Sequence, residues 1–87
     1  MTLKNSTTRS QKAAILNYLL TGKSLSQLEA AEMFGCWRLG ARCYDLREDG
    51  YRIETEMVTN ESTGKRFARY YMSKDEIARV KAERGAA

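Results

Sequence analysis

The sequence has no histidine and only two cysteines. The commonest general base and metal ligand is therefore missing, and two thiols alone make a poor metal set. Cys36 and Cys43 stand seven residues apart. On one helix that spacing is roughly 10 Å along the axis, too far for a disulfide within the chain. Both are read as small buried apolar side chains. There is no Gly-rich phosphate loop, and no serine or cysteine lies beside an evident base. No enzyme, cofactor or metal is expected on these grounds. No apolar run approaches the roughly 20 residues of a membrane span. Met1 to Ser10 is polar and lacks the apolar core of a secretory signal. The expected location is the cytoplasm, with no membrane partner.

What remains fits a small soluble domain. With 87 residues, the chain is expected to form one domain with a modest core. It is 43% hydrophobic and 30% charged, a globular balance rather than a disordered one. The net charge of +4 is unevenly spread. Lys4, Arg9 and Lys12 make the start basic, and Lys65, Arg66, Arg69 and Lys74 do the same for 65–74. Between these segments the charge is near neutral or acidic, with Glu54, Glu56 and Glu61 against Arg52. Two basic segments around a neutral middle are compatible with a polyanion partner.

Three segments open with a capping box: Thr8-Arg9-Ser10-Gln11, Ser26-Gln27-Leu28-Glu29 and Ser73-Lys74-Asp75-Glu76. In this device a hydroxyl accepts from a free N–H of the first turn, while the Glu or Gln reaches back to the cap. The second and third boxes carry hydrophobic staples, Leu25 on Ala30 and Met72 on Ile77. The first helix is predicted over 9–20, with Ile15, Leu16, Leu19 and Leu20 inward and Gly22 at its end. A second follows over 27–34, with Leu28, Ala31 and Phe34 inward and Gly35 as its stop. A third runs from near Trp37 to Asp49, with Gly50 as its cap. Its inward positions are Leu39, Cys43 and Leu46.

From Tyr51 the pattern alternates, with Tyr51, Ile53, Thr55 and Met57 on one face. Asn60 to Gly64 reads as a turn, and Lys65 to Met72 as a second strand rich in aromatics. A last helix follows over 73–85, and residues 1–8 are expected to form a flexible N-terminal arm. The predicted core is Ile15, Leu19, Leu28, Phe34, Leu39, Leu46 and Ile53.

Helix, helix, helix, hairpin, helix, with a glycine turn between the second and third, is the winged helix-turn-helix order. The fold class is α+β: a three-helix core, a two-stranded wing and a C-terminal helix. Glycine at the turn allows a steep crossing that projects the N-terminal end of the third helix. In DNA readers of this kind that helix lies in the major groove. The stretch SLSQLEAAEMFGCWRLGARCYDLREDGYRIETEM resembles small helix-turn-helix proteins encoded by bacteriophages and prophages. The similarity is greatest over Phe34 to Tyr51, as F-G-x-x-R-L-x-x-R-x-x-x-L-R-x-x-G-Y, and extends over about residues 11–72. The resemblance points to Arg38, Leu39, Arg42, Leu46, Arg47, Gly50 and Tyr51. It implies that Leu39 and Leu46 are scaffold and that the arginines are candidates for contact. It also implies a bacterial host cell as the setting.

The candidate nucleic-acid-binding residues are Trp37, Arg38, Ala41, Arg42, Lys65 and Arg66. Arg38 and Arg42 lie one helical turn apart and can grip a phosphate or a guanine together. Arg42 has a competing reading, an ion pair with Asp45 or Asp49 on a solvated face. Arg47, beside the core stripe, is read as structural. Trp37 is read equally as core or as contact. Lys65 and Arg66, at the wing, suit the DNA backbone or minor groove, against a plain solvated turn. Lys4, Arg9 and Lys12 are a further candidate backbone clamp.

The expected function is a double-stranded DNA-binding protein, a phage or prophage transcriptional regulator or accessory factor. The alternative is a phage-type protein-interaction module that binds and inhibits a host defence or transcription complex. A homodimer through the C-terminal helix is a third partner option, with Ile77 and Val80 as its apolar face. Its competitor is that these two residues cap the domain's own core.

Overall fold

The computed structural model describes residues 8–86. Its elements are α1 (Thr8–Leu19), β1 (Leu25–Ser26), α2 (Gln27–Phe34), α3 (Leu39–Glu48), β2 (Glu54–Thr59), β3 (Arg66–Tyr71) and α4 (Lys74–Ala86). The helix order matches the expectation. The wing is broader than the predicted hairpin, because β1 joins it in the order β1-β3-β2, all antiparallel. Two residues leave no periodicity to read, so this strand had no signature of its own. The expected arm at 1–8 lies almost wholly outside the described residues.

Ser26 caps α2 as its motif requires. Its hydroxyl accepts from the Glu29 N–H, and the Glu29 carboxylate accepts from the Ser26 N–H. Gly35 closes the same helix at φ 64, a left-handed conformation that any side chain would oppose. At Ser73 half the box forms. The hydroxyl accepts from the Glu76 N–H, but the Glu76 carboxylate turns to Arg79 and to the Arg52 N–H. The first box falls on the Thr8 side chain, outside the described ones.

The core is built from Ile15, Leu16, Leu19 and Leu20 of the first helical segment, Leu25, Ala30, Leu39, Cys43, Leu46, Ile53, Met72 and Val80. The α3 stripe of Leu39, Cys43 and Leu46 is buried as predicted. Three expectations need correction. Leu28 is 66% exposed, because Ala30 and Ala31 are the residues that α2 turns inward. Phe34 is only partly buried, set edge-on to Tyr18 with ring centroids 5.8 Å apart. Met57 is exposed: β2 begins at Glu54 and is an edge strand open to solvent along most of its length.

Both cysteines are buried and free. Cys36 stands ahead of α3 rather than on it, so the helical spacing assumed for the pair does not apply. Burial pushes the Cys43 thiol up to about 11, with Cys36 adding to the rise and Arg47 opposing it. It is a small neutral core group at physiological pH. Ile77 and Val80 pack onto the core of the same chain, so the apolar face assigned to a dimer is already covered within the fold.

Candidate nucleic-acid interface

The turn between α2 and α3 is held chiefly by Gln27, with Gln11 donating from Nε2 to the Gly35 carbonyl at 3.4 Å. Gln27 donates from Nε2 to the Cys36 carbonyl at 2.8 Å and accepts at Oε1 from the Leu39 N–H at 2.7 Å. The carboxamide thus satisfies the N–H of the first residue of α3, one of the four that no intrahelical carbonyl reaches. Arg38 occupies that cap position with φ −133 and ψ 62 and makes no side-chain capping bond. The helix therefore starts at Leu39, two residues later than expected. Trp37 precedes it and is 75% exposed, so it is not a core residue. Sequence reasoning missed the Gln27 clip because its partners lie 9 and 12 residues away, off any helical or strand period.

The opposite end of α3 is tied down. Arg47 donates from Nε and Nη2 to the Ile53 carbonyl at 3.0 and 2.7 Å, and to Thr55 Oγ1 at 3.1 Å. That fits its structural reading. Lys12 pairs with Asp49 at 2.6 Å and ties α1 to this end, instead of joining a DNA clamp. Asp49 is the C-cap, one residue before the predicted Gly50, which follows it at φ 103. Arg79 of α4 donates to the Gly50 carbonyl at 3.1 Å and pairs with Glu76 and Glu83. The Arg79 guanidinium beside it holds Glu76 down at about 2, against the opposing effect of burial, with help from the Arg52 N–H.

A groove of about 630 Å³ lies between the free end of α3, the start of α2 and the wing. Trp37, Leu28 and Gly40 line one side, Phe67, Ala68 and Tyr70 of β3 the other, and Asn60 the wing end. Asn60 nucleates the wing tip: its N–H donates to the Lys65 carbonyl at 2.7 Å, and its Oδ1 accepts from the Ser62 and Thr63 N–H groups. At the groove floor Arg69 bridges Ser24 and Glu29, the latter at 2.7 Å. Arg69 is thus a structural cation inside the basic segment.

The candidate residues fall into two groups. Arg38, Lys65 and Arg66 are exposed, and among the described residues they enter no ion pair. Ala41 is half-buried, and Arg42 is half-buried and paired with Asp45 at 3.2 Å. The structure therefore brings Trp37 to the same groove as the wing, leaves Arg38 exposed beside it in the chain, and pairs Arg42 within its own helix. Tyr44, 60% exposed one turn beyond Gly40, was not among the candidates. Its outward place on the helical wheel was the available signal.

The family model described as a winged helix-turn-helix domain matches residues 10–75. The chain belongs to this family. The winged helix-turn-helix domain points to DNA as its partner. No curated protein and no solved structure matched the chain. Among the described residues, no helix is long and apolar enough to cross a membrane.

Proposed function

We propose that this winged helix-turn-helix protein binds double-stranded DNA as a small phage or prophage transcriptional regulator or accessory factor. The N-terminal end of α3 enters the major groove, and the wing at 59–66 rides the backbone. One observation carries the reading. Arg38, next in the chain to the groove-lining Trp37, and the wing cations Lys65 and Arg66, beyond the groove-lining Asn60, are exposed and enter no ion pair among the described residues. Arg38 is assigned to a base edge or to phosphate at the groove, and Lys65 and Arg66 to phosphates. Ala41 supplies close approach beside Gly40. Arg42 serves chiefly to orient Asp45 and the second turn.

A titration with random duplex DNA at several salt concentrations tests this. Binding should weaken steeply with salt, and Lys65→Ala should lower the slope of log K against log salt by about 0.9. Arg38→Ala should relax sequence preference at one position, at a cost of about 1–3 kcal/mol. Absence of duplex binding at low salt removes the DNA reading. In that case the exposed Leu28 and Trp37 favour the second reading, a module that docks on a host defence or transcription protein.

A further inference from the structure

The face that would meet DNA is apolar where hydrogen-bonding side chains are ordinarily found. Leu28 and Trp37 are two of the most exposed large hydrophobic residues described, and both line the groove. The polar side chains of the groove are largely engaged elsewhere. Gln27 clips the turn, Glu29 holds Ser26 and Arg69, and Asn60 Oδ1 holds the wing tip. Along the outward side of α3 the next positions are Gly40, Ala41 and Tyr44. Within α3 there is no Asn, Gln or Lys to read a base by its donor and acceptor pattern, and its two arginines are engaged, Arg42 with Asp45 and Arg47 with the Ile53 carbonyl.

The major-groove edge of a base pair offers one apolar feature, the 5-methyl group of thymine. Resting on the DNA-binding reading above, we infer that Leu28 and Trp37 read thymine methyl groups. The protein then prefers A·T-rich duplex through buried methyls more than through hydrogen bonds. Charge fixes the occupant. Arg38 follows the groove-lining Trp37 in the chain, and the Lys65 carbonyl accepts from the N–H of Asn60, which lines the wing end; both cations are exposed. A duplex presents phosphates on both sides of its major groove with base edges between them. Cations flanking an apolar strip match that order. An apolar peptide would leave the same cations without counter-charge.

The test compares one short duplex of mixed A·T sequence with the same duplex carrying uracil for thymine. Uracil keeps the phosphates and the donor and acceptor pattern and removes only the methyl group. Fluorescence anisotropy at low salt should show weaker binding of the uracil duplex, by about fourfold for each methyl buried. Leu28→Ala and Trp37→Ala should reduce or abolish that difference. Both residues are exposed, so the variants should keep the fold, checked by circular dichroism. Equal affinity of the intact protein for the two duplexes overturns the inference while leaving DNA binding in place. A difference that survives undiminished in both variants overturns the assignment to these residues. No binding of either duplex removes the DNA reading together with the inference.

Discussion

The two ends of α3 are built in opposite ways. At the C-terminal end, Arg47 grips the Ile53 carbonyl, Lys12 pairs with Asp49, and Arg79 reaches the Gly50 carbonyl. Three elements converge there, and their cations are satisfied internally. At the N-terminal end Arg38 has no capping bond, Trp37 stands in solvent, and the side chains of Gln27 and Gln11 close the turn behind them. One end is an anchor and the other is presented. Charged residues are equally plain in the sequence at both ends, so only their partners distinguish a fixing cation from one available to a ligand.

The contrast is broken most severely at Leu46, 2% exposed on the anchored half. Leu46→Ala should destabilise the domain by about 2–5 kcal/mol, read as a lower urea midpoint. Arg47→Ala should lower it less, by about 1.5–3 kcal/mol, through the lost charged hydrogen bonds to the Ile53 carbonyl. A shift above that range would mean that the stem of Arg47 also packs.

Acid acts on the same end through Glu76. Its carboxyl is held at about 2, below the usual value of 4.5, chiefly by Arg79. The folded state therefore binds the carboxylate form more strongly than the unfolded chain does. That contribution is fully present above about pH 4.5 and fades as pH falls toward 2. Melting temperatures of the parent and Glu76→Gln should differ most at neutral pH and converge in acid. A constant gap down to pH 2 would show that Glu76 contributes through packing instead.

The smallest stability effect belongs to the presented end. Trp37→Ala should change stability by less than about 0.5 kcal/mol, as for other exposed positions. The same substitution should reduce DNA affinity. A large loss of stability would place Trp37 with the anchor and erase the contrast.

The anchored end was largely legible in the sequence. The three-four spacing of Leu39, Cys43 and Leu46 fixes the α3 register, and Ser26 with Glu29 announces the start of α2. Leu28 was misread because leucine is the stronger hydrophobic signal, while the inward face of this eight-residue helix is made of alanines. Met57 was misread because an alternating pattern on an edge strand need not have a core beneath it. The groove was not legible at all. It depends on β3 passing beside the start of α2, a meeting of segments more than forty residues apart, with no local pattern to mark it. Trp37 and Arg38 were singled out by position as the start of α3, yet the helix begins after them, where the Gln27 clip takes the Leu39 N–H.

Ser26 has two duties at once: it is the strand partner of Arg69 and the cap of α2. The pairing of β3 and the start of α2 are therefore one event. A one-residue slip of β3 would misplace Arg69 relative to Glu29 and disturb the cap from outside the helix. On the folding pathway the contact joins Ser24 to Arg69 across a separation of 45 residues, so it closes a long loop before it returns any stability. The helix-turn-helix and the wing should consequently form together in a single cooperative step, with neither half stable in the absence of the other.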